Sequence, residues 1–322
     1  MSLSVLLGSC FTGSVLGMYL GQSFLHSLVA AVASGGAVRI WGIESPAVRQ
    51  RFRLGVIIAA VFSFPVYQLI DPDRGSAYFR LGAVFDSARW LTLELAGIPL
   101  SIFFLLMIAA TGAVFLHQEL IPVIGHTLEA RKKSMPESAR PLNGILPGGP
   151  GVFVFQSDEL LSFSIMGREP AIYISSGLEQ VLDAGEVAAS IAHEAAHIER
   201  NRKPMLTAVF FLRVLQFFNP VALFEFRKIV QEEEKICDGI AASATGRPEA
   251  LAGALRKIYR GAETASPKSP LSLGDIEEYS HGLHIKSRIE RLERWECCDE
   301  RGRWPELAFT FFAIAAINYF MV

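Results

Sequence analysis

Residues 183–201 read DAGEVAASIAHEAAHIERN. Asp183 followed three residues later by Glu186 is a capping-box start for a helix. Val187, Ala188, Ile191, Ala192, Ala195 and Ile198 supply apolar and small packing positions, and Pro204 limits extension. Inside this helix stands His193-Glu194-Ala195-Ala196-His197. Positions four apart share a helix face, so both imidazoles can offer a nitrogen to one ion. Glu194 lies about 100° further round, beside a metal-bound water rather than on the metal. The chemistry needs that division. Zinc lowers the pKa of its water, and the carboxylate takes the proton as the oxygen attacks a peptide carbonyl. The chain has only 7 histidines, so chance is a poor account of the pattern.

Such a site needs a third protein ligand. The stretch Gln231-Glu232-Glu233-Glu234-Lys235-Ile236-Cys237-Asp238 offers three successive glutamates on an expected helix. Glu234 and Asp238 share a face. Glu234 is expected on the metal, and Asp238 is expected to accept a hydrogen bond from a ligand histidine. Glu232 and Glu233 are expected on a solvated face, and Cys237 as a small buried residue.

The rest of the chain is unusually apolar. Of 322 residues, 51% are hydrophobic and only 19% charged, below the share of a soluble domain. Mean hydropathy is +0.34. The excess sits in blocks. Residues 3–38 are almost uncharged, with Arg39 the first cation. A signal peptide would carry a basic region before a shorter apolar core, so a retained transmembrane helix is expected. Gly13, Gly17 and Gly21 line one face of it and would let another backbone approach. Residues 54–70, 95–116 and 307–322 are further candidate spans, with Trp304 and Tyr319 at interfacial positions. The first loop carries Arg39, Arg49, Arg51 and Arg53 against Glu44, and the stretch after the third run opens Arg131-Lys132-Lys133. The positive-inside rule puts these segments in the cytoplasm and both chain ends outside. A net charge of -2 with no basic stripe argues against nucleic acid as a partner. Cys10, Cys237, Cys297 and Cys298 show no paired framework and read as reduced thiols.

Residues 122–304 form the polar part. A Pro- and Gly-rich stretch, 134–151, reads as a linker. Strands are expected at 152–155, 162–166 and 171–175, with a turn at 167–170, and helices follow. Strand 171–175 is either an edge able to pair with an extended substrate or an ordinary core strand. Residues 206–226 are apolar but hold Arg213, Gln216 and Asn219-Pro220. Those interruptions favour a membrane-leaning helix pair over a span.

His193-Glu194-x-x-His197, then Asn219-Pro220, then Glu234-x-x-Cys237-Asp238 resembles the BlaR/MecR-type membrane metallopeptidases. The HtpX-like and CAAX-prenyl-protease-like families are related. Residues 167–178, with Pro170-Ala171-Ile172-Tyr173-Ile174-Ser175, and Arg288-Ile289-x-x-Leu292 carry the same resemblance, which covers about residues 150–295. It implies a gluzincin-like domain between the third and fourth spans, with Glu234 as third ligand. Related membrane proteases place a histidine and an arginine to steady the tetrahedral oxyanion, which here implies His281 or His284 together with Arg288. Two features depart from the pattern. Sensor proteins of this type carry an extracellular domain after the last span, and this sequence ends at Val322, so that input is expected to be missing. Glu199-Arg200-Asn201-Arg202 follows the helix where the family often has an aspartate.

The combined expectation is an α+β, multi-span helical membrane protein with a cytoplasmic zinc metallopeptidase domain. Residues 1–121 would hold three spans, 122–304 the peptidase domain and 305–322 the fourth span. One zinc ion per chain would sit on His193, His197 and Glu234. Glu194 would act as base and then acid, Asp238 would orient the ligands, and His281 and Arg288 would serve the transition state. The expected setting is the bacterial inner membrane, with a protein or peptide substrate at its cytoplasmic face and a sensor partner or a second copy as possible company. The alternatives are quality-control proteolysis of the HtpX-like kind and a non-catalytic zinc-holding scaffold.

Overall fold

Apolar segments with few charges fold first into helices, because a helix satisfies its backbone N–H and C=O groups internally. The computed structural model describes residues 14–121, 139–142, 149–166, 169–259, 273–295 and 302–322, without the side chains of 88 and 273–281. Cys10, Gly13, Arg131-Lys132-Lys133, Gly167, Cys297, Cys298, most of the 134–151 linker and the His281 side chain lie outside the described residues. The described residues divide into two units: 14–121, 205–232 and 302–322 in the first, 139–204 and 233–295 in the second. Residues 205–232, which include the expected membrane-leaning segment at 206–226, group with the first unit.

In the first unit, helix α1 spans Val15–Ile40 and α2 spans Pro46–Ile70. Helix α3, Leu100–Phe115, continues through a π-helical turn, Leu116–Leu120. These three helices are long and apolar enough to cross a membrane. Gly17 and Gly21 are buried on α1. Helix α2 begins eight residues before the apolar run at 54, because Pro46 sits at its first turn and the arginines that follow are good helix formers. Helix α3 begins later than expected. Glu94–Leu95 and Ile98–Pro99 form a two-residue hairpin instead, with Ala96 (φ 52°) and Gly97 (φ 78°) in the left-handed region that such turns require. The fourth apolar run forms a helix at Trp304–Tyr319 of only 16 residues, short of the ~20 that a span needs.

Residues 206–226 form two helices. Helix α5 spans Lys203–Leu215 and α6 spans Pro220–Thr245. Asn219 makes the break, its side chain accepting from the Val221 backbone N–H at 3.0 Å, with Pro220 opening α6. Phe211, Leu215, Phe217 and Phe224 of this pair are exposed, and Arg213 is fully buried.

The second unit holds a four-stranded sheet: β1 Arg140–Pro141, β2 Gly151–Phe155, β3 Ser162–Ile165 and β4 Ala171–Ser175. The order is β1-β2-β4-β3, with β2 and β4 parallel and the other pairs antiparallel. Strand β4 is buried at every position and lies between β2 and β3, so it is a core strand and not an edge. The edge on that side is β3. Alternation sorts the residues. Val152, Val154, Ile172 and Ile174 face a core with Leu178, Val187 and Ile191, while Phe153, Tyr173 and Phe163 stack on the opposite face.

Helix α4, Ala184–Arg200, starts with the expected capping box and ends at Asn201 in the left-handed region. Glu186 does double duty, accepting from the Asp183 N–H and pairing with Lys257 of helix α7, Pro248–Ile258, at 2.5 Å. The helix buries two faces. Val187 and Ile191 meet the sheet, and Ala189 and Ala192 meet α6, α7 and helix α8, Leu273–Glu293, through Ala241, Leu251, Leu255 and Ile289. Its third face carries His193 and His197.

Ile174 is fully buried beneath α4. Ile174→Ala is expected to cost about 2–5 kcal/mol, read as a lowered melting temperature of the purified protein.

Candidate metal centre

On the free face of α4, His193 and His197 project together, with their rings nearly perpendicular at 88°. Their Nε2 atoms are 3.2 Å apart. Glu234 of α6 approaches both, with Oε2 3.5 Å from His193 Nε2 and Oε1 3.6 Å from His197 Nε2. One ligand atom from each of the three residues falls within a 4.8 Å cluster able to hold a metal ion. Ligands about 2.0–2.1 Å from a tetrahedral zinc stand about 3.3 Å from one another; the two Nε2 atoms have that spacing, and Glu234 turns a different oxygen toward each.

Both rings are anchored from behind. His193 Nδ1 lies 3.0 Å from Asp238 Oδ1. His197 Nδ1 lies 3.3 Å from the sulfur of Cys237, a buried free thiol whose pKa burial pushes up. Asp238 also takes a two-pronged bond from Arg288 of α8, at 2.7 Å from Nε and 2.6 Å from Nη2. The third nitrogen of that guanidinium reaches Glu234 at 3.1 Å. Arg288 therefore bridges Glu234 and the carboxylate that faces His193.

The electrostatics follow from this crowding. Burial disfavours the charged form of His193, but its bonds to Asp238 and Glu234 outweigh that and push its pKa up to about 9. His197 moves down, through burial and then the neighbouring His193 charge. Burial would raise Glu234, but the His193 bond and the Arg288 charge hold it down to about 2. Asp238 is held low in the same way, chiefly by Arg288 against its own burial.

A cavity of about 290 Å³ opens in front of the cluster, lined by His193, Glu194, His197, Glu234, Arg288, Tyr259 and, at the start of β3, Ser162. Glu194 is buried, and its Oε1 accepts a bond from the Ser162 hydroxyl at 3.1 Å. The far wall is apolar: Leu160, Leu251, Leu255 and Ile258.

The structure brings together His193, Glu194, His197, Glu234, Asp238 and Arg288. His284 sits one turn before Arg288 on α8, half-buried and not among the described residues that line the cavity. His281 lies on the same helix. The expectation for Glu232 and Glu233 is corrected, since neither is solvated. Glu233 is 2% exposed and accepts two bonds from Arg200, at 2.7 and 3.0 Å. Glu232, also buried, lies 3.6 Å from Arg53 within the first unit. The reason is that each partner arrives from far away in sequence, which no local pattern reveals. Ser162 and Tyr259 went unnoticed for the same reason. A serine opening a strand and a tyrosine ending a helix have no signature of their own.

A scan against protein-family models finds no match, and a search of curated proteins finds no significant similarity.

Zinc binding at pH 7.5 should release about one proton per ion, because His193 must surrender its proton to become a ligand. Calorimetry in buffers of different ionisation enthalpy reads that number directly. Asp238→Asn should weaken zinc binding by about 10–100-fold.

Proposed function

We propose that this chain is a membrane-bound zinc endopeptidase of gluzincin-like design. The observation that carries the reading is the convergence of His193, His197 and Glu234 within 4.8 Å, with the Glu194 carboxylate lining the same cavity. Zinc, when bound, would acidify a water and polarise the scissile carbonyl. The chain's own groups supply the rest. Glu194 receives the proton of the attacking water and hands it to the leaving amine. Ser162 fixes the carboxylate in the orientation this transfer needs. Asp238 keeps His193 in the tautomer that offers Nε2. Arg288, and Tyr259 across the cavity, are placed to steady negative charge developing on the carbonyl oxygen.

The substrate is a polypeptide. Strand β3 pairs on one side only among the described residues and borders the cavity, so an extended segment can add to it by backbone hydrogen bonding. The setting is the bacterial inner membrane. Three helices among the described residues are of spanning length, and the arginines of the first loop together with Arg131-Lys132-Lys133 support a cytoplasmic catalytic unit by the positive-inside rule. The exposed aromatic face of α5 and α6 suits contact with lipid. Such an enzyme would act on a regulator or a membrane protein at that face, alone, as a second copy's partner, or under a separate sensor.

Glu194→Gln is expected to keep its zinc, by elemental analysis, and to lose about 10²–10⁴-fold in cleavage of a membrane-protein panel. Equal cleavage by both forms would remove the mechanism and favour a zinc-holding scaffold. Glu234→Ala is expected to lose the metal. If it kept full zinc while Glu232→Ala or Glu233→Ala lost it, the ligand assignment would be wrong.

A further inference from the structure

In the first unit, helix α2 and the 304–319 helix run side by side in the same direction, because Arg51 lies beside Trp304 and Tyr67 beside Ala315. Between them is an apolar groove of about 530 Å³. Leu54, Ile58 and Ala59 form one wall, and Leu307, Phe311 and Ala315 the other. Its depth depends on Gly55. The Phe311 ring lies 1.8 Å from the point where a Cβ would stand, so only glycine lets the ring sink to the floor. At one end the groove is closed by the Tyr67 hydroxyl, which donates to the Ala315 carbonyl at 3.0 Å.

The other end is cationic. The Arg51 guanidinium lies 4.6 Å from the centre of the Trp304 ring and donates to the Gly302 carbonyl at 3.1 Å. Among the described residues no carboxylate pairs with it. Arg53, two residues on, contrasts with it, being committed to Glu225 at 3.1 Å and to Glu232. A guanidinium has five N–H donors, so Arg51 keeps several for a planar or tetrahedral oxyanion.

We propose that this groove binds one anionic phospholipid, with an acyl chain along α2 and the phosphate on Arg51. The inference rests on the membrane setting of α2. From Arg51 to Tyr67 the helix rises about 24 Å, close to the ~21 Å depth of one leaflet with its headgroups. Trp304 then falls at the interfacial depth where indole rings collect. Charge decides the occupant. A neutral helix from a partner or a second copy would leave Arg51 without an anion, and a phosphate diester supplies one.

The test uses the full chain purified in detergent. Native mass spectrometry would follow binding of phosphatidylglycerol and of phosphatidylcholine with the same acyl chains. One phosphatidylglycerol per chain is expected, preferred by about tenfold over phosphatidylcholine, as a charge-assisted hydrogen bond would give. Arg51→Gln should erase the preference, and Ala315→Phe, which fills the groove from its open side, should lower occupancy by both lipids. Arg39→Gln should change neither. Melting temperatures without added lipid serve as the check on folding. The proposal is overturned if folded Arg51→Gln keeps the preference, or if folded Ala315→Phe keeps full occupancy. It is equally overturned if Ala315→Phe turns a dimer into a monomer while lipid still binds, since the groove would then belong to a second copy.

Discussion

Glu234, half-buried, and Asp238, buried, stand one turn apart on α6. Two carboxylates so placed repel each other, and Asp238 loses its hydration. Arg288 is what makes the pair tolerable. Its guanidinium takes both oxygens of Asp238 and one of Glu234, and His193 neutralises the remainder from the other side. Removing the arginine would leave buried charge uncompensated, a loss of about 3–5 kcal/mol in comparable interiors. The arrangement of His193 and Glu234 is therefore a by-product of charge balance. Glu234 cannot swing away without abandoning Arg288, and His193 cannot rotate without abandoning Asp238.

Helix α4 supplies the other half of that balance by being used on every side. Two faces are occupied by apolar packing and leave the helix no freedom to roll. The third can then hold polar groups at fixed positions without spending binding energy on ordering them. The capping box fixes its start, and Glu186 ties that start to α7 through Lys257. The histidines stand at the end of a chain of constraints that begins ten residues earlier. Arg200, at the last turn, grips Glu233 and so joins α4 to α6 immediately beside the ligand. Where the resembling families often carry an aspartate near this point, this chain carries a cation and finds its anion on α6.

What the sequence made readable was whatever repeats locally. The helix around His193, its cap, the strand bounds 152–155 and 171–175 and the turn-to-turn relation of Glu234 and Asp238 all follow from periods of two or 3.6. The closeness of Asp238 to His193 agrees with the expectation that the second imidazole nitrogen has a carboxylate neighbour. What remained hidden was everything decided by partners distant in sequence. Strand 171–175 looks the same whether it is an edge or a centre, and only the placement of 151–155 and 162–165 around it decides. Glu232 and Glu233 look like a solvated face until Arg53 and Arg200 arrive from elsewhere. The start of α3 was obscured by composition, since Leu95 and Ile98 are as apolar as the helix they precede.

The row of rings across the sheet has an effect on chemistry it never touches. Phe153, Tyr173 and Phe163 sit directly opposite one another on three adjacent strands and stack at 5.4 Å spacings. Sliding β3 by a single residue would break that row and turn the strand over, since successive side chains point to opposite faces. Ser162 would then look outward, away from Glu194. The aromatic stack acts as a ruler: by measuring one strand against the next on the outer surface, it determines which hydroxyl greets the carboxylate on the inner one.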